Sequence, residues 1–191
     1  MRACGVAPNQ NSGSLTTARQ AFYGFRVRGQ DRNLARLGDA TAMSSRHGLS
    51  IRAADSGDVD GLAELLKTAG LTIVRDKLAS RLGAMQDQPG VLLIADEWGP
   101  PSGVIAVHWH SVLTADLKVG WISALLVDPD RRRNGVARLL IKAASQAARS
   151  AGCGELVLRA PIEPGDLRTF CLATGFAESG EVFTRALRKR S

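Results

Sequence analysis

The spacing of hydrophobic and polar positions changes several times along this chain, and each change marks an element. Leu49-Ser-Ile-Arg-Ala53 reads as a short strand. Asp55 or Ser56 can cap the helix after it, because a short oxygen side chain accepts the free N–H groups of a first turn. Val59, Leu62, Ala63, Leu65, Leu66 and Ala69 then recur at helical spacing until Gly70 ends the run. A second amphipathic helix covers about 74–86, with Leu78, Leu82 and Met85 on one face. Gln88-Pro-Gly90 breaks the chain, and 91–96 reads as a buried strand. After the turn-forming Gly99-Pro-Pro-Ser-Gly103, the segments 104–112 and 119–127 complete an antiparallel meander. A helix over 135–150 follows, with Leu139, Leu140, Ala143, Ala144 and Ala147 inward and Gly152 at its end. A strand at 156–158, a helix at 165–173 and a terminal strand pair at 176–178 and 182–187 close the chain. The expected fold class is therefore α/β, or mixed α+β. It comprises a mixed, mostly antiparallel sheet of about seven strands flanked by about four helices.

Residues 1–47 break this pattern. They are rich in Gly, Ser, Asn, Gln and Arg and carry no sustained apolar period, which divides the chain into a basic tail (1–47) and one domain (48–191). A loosely attached tail, an organellar transit peptide and a start of translation at Met43 all fit that composition. Residues 1–42 carry +4 of the net charge of +7, with Arg2, Arg19, Arg26, Arg28, Arg32 and Arg36 against Asp31 and Asp39, which leaves +3 for residues 43–191. The domain is only mildly basic, which suits an anionic cofactor and argues against a specific nucleic-acid partner. No apolar run approaches the ~18–20 residues of a membrane span. Cys4, Cys153 and Cys171 are too few and too scattered for a disulfide framework or a metal site, so the expectation is a cytoplasmic protein without metal.

The chemistry concentrates in one stretch. Leu125-Leu-Val127 is a buried strand, Asp128-Pro-Asp-Arg-Arg-Arg-Asn134 a polar turn, and Gly135-Val-Ala137 the opening of the long helix. Free N–H groups at such a helix start, backed by its dipole, attract an anion. Gly135 would spare an approaching phosphate a Cβ, and Ala137 nearly so. No Gly-Lys-Ser/Thr follows, and there is no G-x-G-x-x-G, so the loop is neither a Walker loop nor a dinucleotide fingerprint.

Val127-Asp-Pro-Asp-Arg-Arg132-Arg-Asn-Gly135-Val-Ala137 resembles motif A of the GNAT acetyltransferases, whose signature is R/Q-x-x-G-x-G/A after a V-x-P strand end. Phe170-Cys-Leu-Ala-Thr-Gly175-Phe176 is similar to that family's F-Y-x-x-x-G-F segment. The resemblance is to the single-domain bacterial type and implies an acetyl-CoA-dependent N-acetyltransferase. The backbone of Arg132, Arg133, Asn134, Gly135, Val136 and Ala137 would hold the pyrophosphate. Leu125, Leu126 and Val127 would pair with the pantetheine amides, and the N–H of Leu126 or Val127 would polarise the thioester carbonyl. A primary amine of a small molecule would attack that carbonyl directly, with a homodimer admitted and neither a membrane nor a specific nucleic acid as partner.

Two positions depart from the family pattern. Where a Tyr often protonates the departing thiolate, this chain has Cys171, either a donor or a small packing residue, with packing favoured. Where many relatives carry a Glu before motif A, it has Ser123, too weak a base except through a held water. His108 and His110, at i and i+2 of one strand, share a face and are further candidates for the base, with Glu97 and Asp116 more remote. A non-catalytic acyl-CoA-binding module and a protein N-acetyltransferase are the alternative readings.

Overall fold

The computed structural model describes residues 43–44, 48–97, 99–159 and 165–179. Its strands are β1 Met43–Ser44, β2 Ser50–Ala53, β3 Gly90–Asp96, β4 Gly103–His110, β5 Lys118–Val127 and β6 Cys153–Leu158. Its helices are α1 Val59–Thr68, α2 Arg75–Gln86, α3 Val136–Ser150 and α4 Asp166–Ala173. The strands form one sheet in sequence order, antiparallel throughout except that β6 runs parallel to β5. Short turns join the meander β3–β4–β5, whereas the parallel step from β5 to β6 needs the α3 crossover. Among the described residues no helix is long and apolar enough to cross a membrane.

The two-residue alternation of a strand sorts the core. Odd residues of β4 (Ile105, Val107, Trp109) join Ile51, Leu93, Val136, Leu140 and Ala144 on the α3 face. Val104 and Ile94 pack with Leu62, Leu65, Leu78 and Leu82 of α1 and α2 on the other face. The sheet is thus the middle of three layers. Gly103 permits a close approach on the α3 side, since a Cβ there would lie 3.0 Å from both Leu140 Cδ1 and Val136 Cγ1. The start of α3 is seated in this way against the beginning of β4, beside the end of β5.

The structure departs from the sequence reading in four places. Met43–Ser44, read as tail, forms an edge strand against Ile51 and Ser50. The buried face of α3 consists of Val136, Leu140, Ile141, Ala143, Ala144 and Ala148, so Ala147 and Leu139 fall at its margin. The stripe is rotated because the helix packs onto Gly103 and β4 through its first turn. The first strand of the meander's second hairpin stops at His110, before the exposed 113–117 turn. Residues 176–178 lie in neither helix nor strand, and 182–187 lie outside the described residues, as do 1–42 of the expected tail.

Candidate active site

Asp128 ends β5 and starts the turn. Its side chain accepts from Asp130 N–H at 2.9 Å, and its carbonyl accepts from Arg131 N–H at 2.9 Å, which winds Pro129–Arg131 into a single 3-10 turn. Arg132 then runs extended, with φ −62° and ψ 155°. Arg133 has φ 64° and is the one non-glycine residue with positive φ among those described, and Gly135 has φ 80°. A bulky side chain held in the left-handed region costs on the order of 1–3 kcal/mol, and such residues gather at ligand clamps. Left-handed residues in a tight turn aim consecutive N–H groups into a hollow. Gly135 caps α3 without any side-chain bond, and the helix's first N–H to meet an acceptor is that of Leu139, on the Gly135 carbonyl at 3.1 Å. The N–H groups of Val136, Ala137 and Arg138 at the head of α3 have no backbone acceptor among the described residues.

The glycine at 135 has a second reason beside the one the sequence suggested. A Cβ there would meet no atom of the chain within 4 Å, so the requirement comes first from its left-handed backbone. Arg132 and Arg133 are exposed beside this hollow. Arg131 is held elsewhere, its guanidinium 3.1 Å from Glu97.

The second half of the site is a parting of strands. β5 and β6 pair from Lys118 with Cys153 to Ile122 with Leu158, where the ladder stops, although β5 continues to Val127. On the opposite side, Ala106 pairs with Ala124 and Val107 with Ile122, so Ser123 has no counterpart. An extra residue of this kind is a β-bulge, which bends its strand and increases its twist. It falls where β5 leaves β6. The resulting gap has a volume of about 460 Å³, walled by Trp121–Leu125 on one side and by Leu158, Arg159 and Leu167 on the other.

Hydrogen-bond alternation decides which groups face the gap. Asp128 N–H donates to Ser102 at 3.0 Å, so the pair two residues back, Leu126 with Val104, is also a mutually bonded one. Leu126 N–H is therefore spent on β4. Leu125 and Val127 point their N–H and C=O groups into the gap. Of the two N–H groups that the sequence left open for a carbonyl, only that of Val127 is available.

The four candidate side chains occupy different settings. Ser123 is exposed at the bulge, its hydroxyl 3.4 Å from the Ala106 carbonyl. His108 is half-buried in β4 and pairs with Trp121, a wall of the gap. Its Nδ1 is buried with no hydrogen-bond partner among the described residues, and burial lowers its pKa below the ordinary 6.5. His110, on the same face, is exposed at the strand end opposite Val119. Cys171 is buried on α4 and does not line the gap, and burial raises its thiol pKa. Of the four, Ser123 alone lines the gap; His108 stands one strand behind it as the register partner of Trp121, and His110 and Cys171 lie apart from it. Of the remoter candidates, Glu97 is occupied by Arg131 and Asp116 lies on the exposed β4–β5 turn. Sequence reasoning missed the Trp121–Arg159 contact, with the guanidinium carbon 5.7 Å from the ring centroid. Trp121 lies in β5 and Arg159 just past the end of β6, and no local pattern links them.

A family model, the acetyltransferase (GNAT) family, matches residues 61–168, more than half of the chain. No curated protein matches it. Among solved structures, an aminoglycoside N-acetyltransferase, AAC(6')-Iy in complex with a bisubstrate analogue, shares 23% identity at a TM-score of 0.64, over 75% of this chain and 99% of its own. An acetyltransferase of Trypanosoma brucei shares 22% at 0.64, over 73% and 99%. The glucosamine-6-phosphate N-acetyltransferase of Arabidopsis thaliana shares 17% at 0.64, over 73% and 99%. At these identities the likeness is one of fold.

Proposed function

The chain belongs to the acetyltransferase (GNAT) family, and on that premise we propose that it moves the acetyl group of acetyl-CoA to a primary amine of a small molecule by direct attack. The observation that carries this reading is the continuity of two features. An apolar gap along β5 leads from Ile122 to Val127, roughly 17 Å at ~3.3 Å per residue. Beyond its far end the chain turns through Pro129–Arg131 into the left-handed Arg133 and Gly135 at the head of α3. A chain with amides along its length and a pyrophosphate at one end fits that shape. The Leu125 and Val127 backbone would pair with the pantetheine as an added strand, and the head of α3 would receive the phosphates.

In the transfer step the amine nitrogen bonds to the thioester carbonyl carbon, the C–S bond breaks, and the thiolate leaves with the electron pair. Val127 N–H, at the pyrophosphate end of β5, would serve the pantetheine, and the thioester would lie further in, toward the bulge at Ser123. Holding both reactants in the gap supplies proximity. His108, kept neutral by burial near pH 7, is the group suited to accept the amine's proton, directly or through a water held by Ser123. CoA thiolate needs no strong acid to depart, so Cys171 is assigned to packing.

The absence of a carboxylate at Ser123 favours a second reading, that the chain binds acyl-CoA without turnover. Thiol release from acetyl-CoA over a panel of amines, with the acetylated product identified by mass, separates the two. Turnover on at least one amine supports the proposal, and tight cofactor binding with none on any amine supports the alternative.

A further inference from the structure

We infer that the acceptor amine carries an anionic group, which the Arg159 guanidinium receives against Trp121. The inference rests on the acetyl-transfer reading and deepens it. Of the residues walling the gap, Ile122, Ala124, Leu125, Leu158 and Leu167 are apolar, and Arg159 is the one charged residue among those described. Its guanidinium carbon lies over the Trp121 ring, 5.7 Å from the centroid, a cation–π contact. A cation–π contact consumes none of the guanidinium's N–H donors, so its fork can still bind a carboxylate or phosphate through two parallel hydrogen bonds. Among the described residues none of the ion pairs involves Arg159.

The cofactor's phosphates do not account for this cation. Trp121 precedes Val127 by six residues along β5, roughly 20 Å at ~3.3 Å per residue, and the pyrophosphate hollow lies beyond Val127. Arg159 follows directly on Leu158, the last residue paired with β5, so it stands at the closed end of the gap. That end is where the acyl group and the acceptor must meet. Trp121 is also the register partner of His108. An acceptor with its amine toward His108 and an anionic group toward Arg159 would be held at two points. A polycation would meet a guanidinium and, among the described wall residues, no carboxylate.

The test uses the full chain, acetyl-CoA and matched amines: amino acids against their amides, and aminoalkyl phosphates against the parent amino alcohols, with spermidine as the polycation. The anionic member of a pair should be favoured by about 10–100-fold in kcat/KM, the range of a hydrogen-bonded charged contact. Which pair shows the larger preference tells carboxylate from phosphate. In Arg159→Gln the preference should vanish through a raised KM for the anionic member, while the acetyl-CoA-induced rise in Tm persists. Arg159→Lys should restore part of it. Equal turnover of neutral amines or of spermidine, a preference that survives Arg159→Gln, or a cofactor-induced Tm rise without transfer to any anionic amine would each overturn the inference. Loss of the Tm rise in the wild-type protein would instead strike at the acetyl-CoA reading itself.

Discussion

The Arg131 guanidinium lies 3.1 Å from the Glu97 carboxylate, and the contact ties the turn before α3 to the end of β3. Asp128 N–H on the Ser102 carbonyl, at 3.0 Å, ties the same turn to the residue before β4. Residues far from Gly135 in sequence therefore fix where the hollow stands. Glu97 is 19% exposed and Arg131 51%, so the pair is a weak one of about 0.2–1 kcal/mol. Glu97→Gln should raise KM for acetyl-CoA by about one and a half- to fivefold with kcat unchanged. A fall in kcat with unchanged KM would show that Glu97 acts on the chemistry instead.

Arg52 ties β2, β3 and the turn before α1 around one guanidinium. It reaches Asp58 at 2.7 and 2.8 Å and Asp96 at 3.0 Å, and Asp58 also accepts from Asp55 N–H at 2.8 Å. The hydrogen bond from Arg52 holds the Asp58 carboxyl below its ordinary 3.8. A carboxylate depressed by folding stabilises the protein above its unfolded pKa, and that stability is lost as pH falls through the folded value. Asp58→Asn should lower stability by about 1–3 kcal/mol at pH 7, with the difference from wild type shrinking below pH 3.8. Denaturant unfolding at the two pH values checks it, and a pH-independent difference would count against the ion pair as its source.

His108 is assigned as the base because its Nδ1 is buried, without a partner among the described residues, beside the wall of the gap. Burial lowers its pKa, so the neutral and basic form persists to more acid pH than 6.5. The acid limb of kcat/KM should therefore fall below pH 6.5. His108→Gln should remove that limb and cut turnover by roughly 10²–10⁴-fold. A limb unchanged in position in the variant would transfer the role to another group.

Cys171 is buried on α4, off the gap, with a raised thiol pKa, and its carbonyl accepts from Thr174 and Phe176 N–H at 3.1 and 3.0 Å. Cys171→Ala should retain more than about a tenth of wild-type turnover, since losing a general acid costs roughly 10²–10⁴-fold. Its main effect should be a stability loss of about 1 kcal/mol. A hundredfold loss of turnover in folded protein would make the thiol catalytic after all.

Much of the scaffold was legible because the meander buries its strands on both faces. Val91, Leu93, Ile94, Ile105 and Val107 leave an apolar run that only turns interrupt. The cofactor loop was legible as a strand end, a polar turn and a glycine before an amphipathic helix. The device that opens the gap was not. The bulge at Ser123 adds one residue to one strand, and an extra residue leaves no mark in composition or period. The left-handed Arg133 was equally hidden, since nothing local in that side chain favours positive φ. The choice of Val127 over Leu126 depended on ladder alternation, which exists only once register is fixed. Met43–Ser44 is too short a strand to show a period at all.

The direct test of the central claim is the acetyl-CoA-induced rise in Tm, measured for the wild type and for Gly135→Val. A ligand bound only to the native state raises stability by about 2.7 kcal/mol at a hundredfold excess over Kd. The wild-type Tm should rise accordingly. Gly135→Val, a β-branched residue forced to φ 80° at the head of α3, should fold with reduced stability and show no rise. An undiminished rise in folded Gly135→Val would contradict the assignment of the pyrophosphate to this hollow.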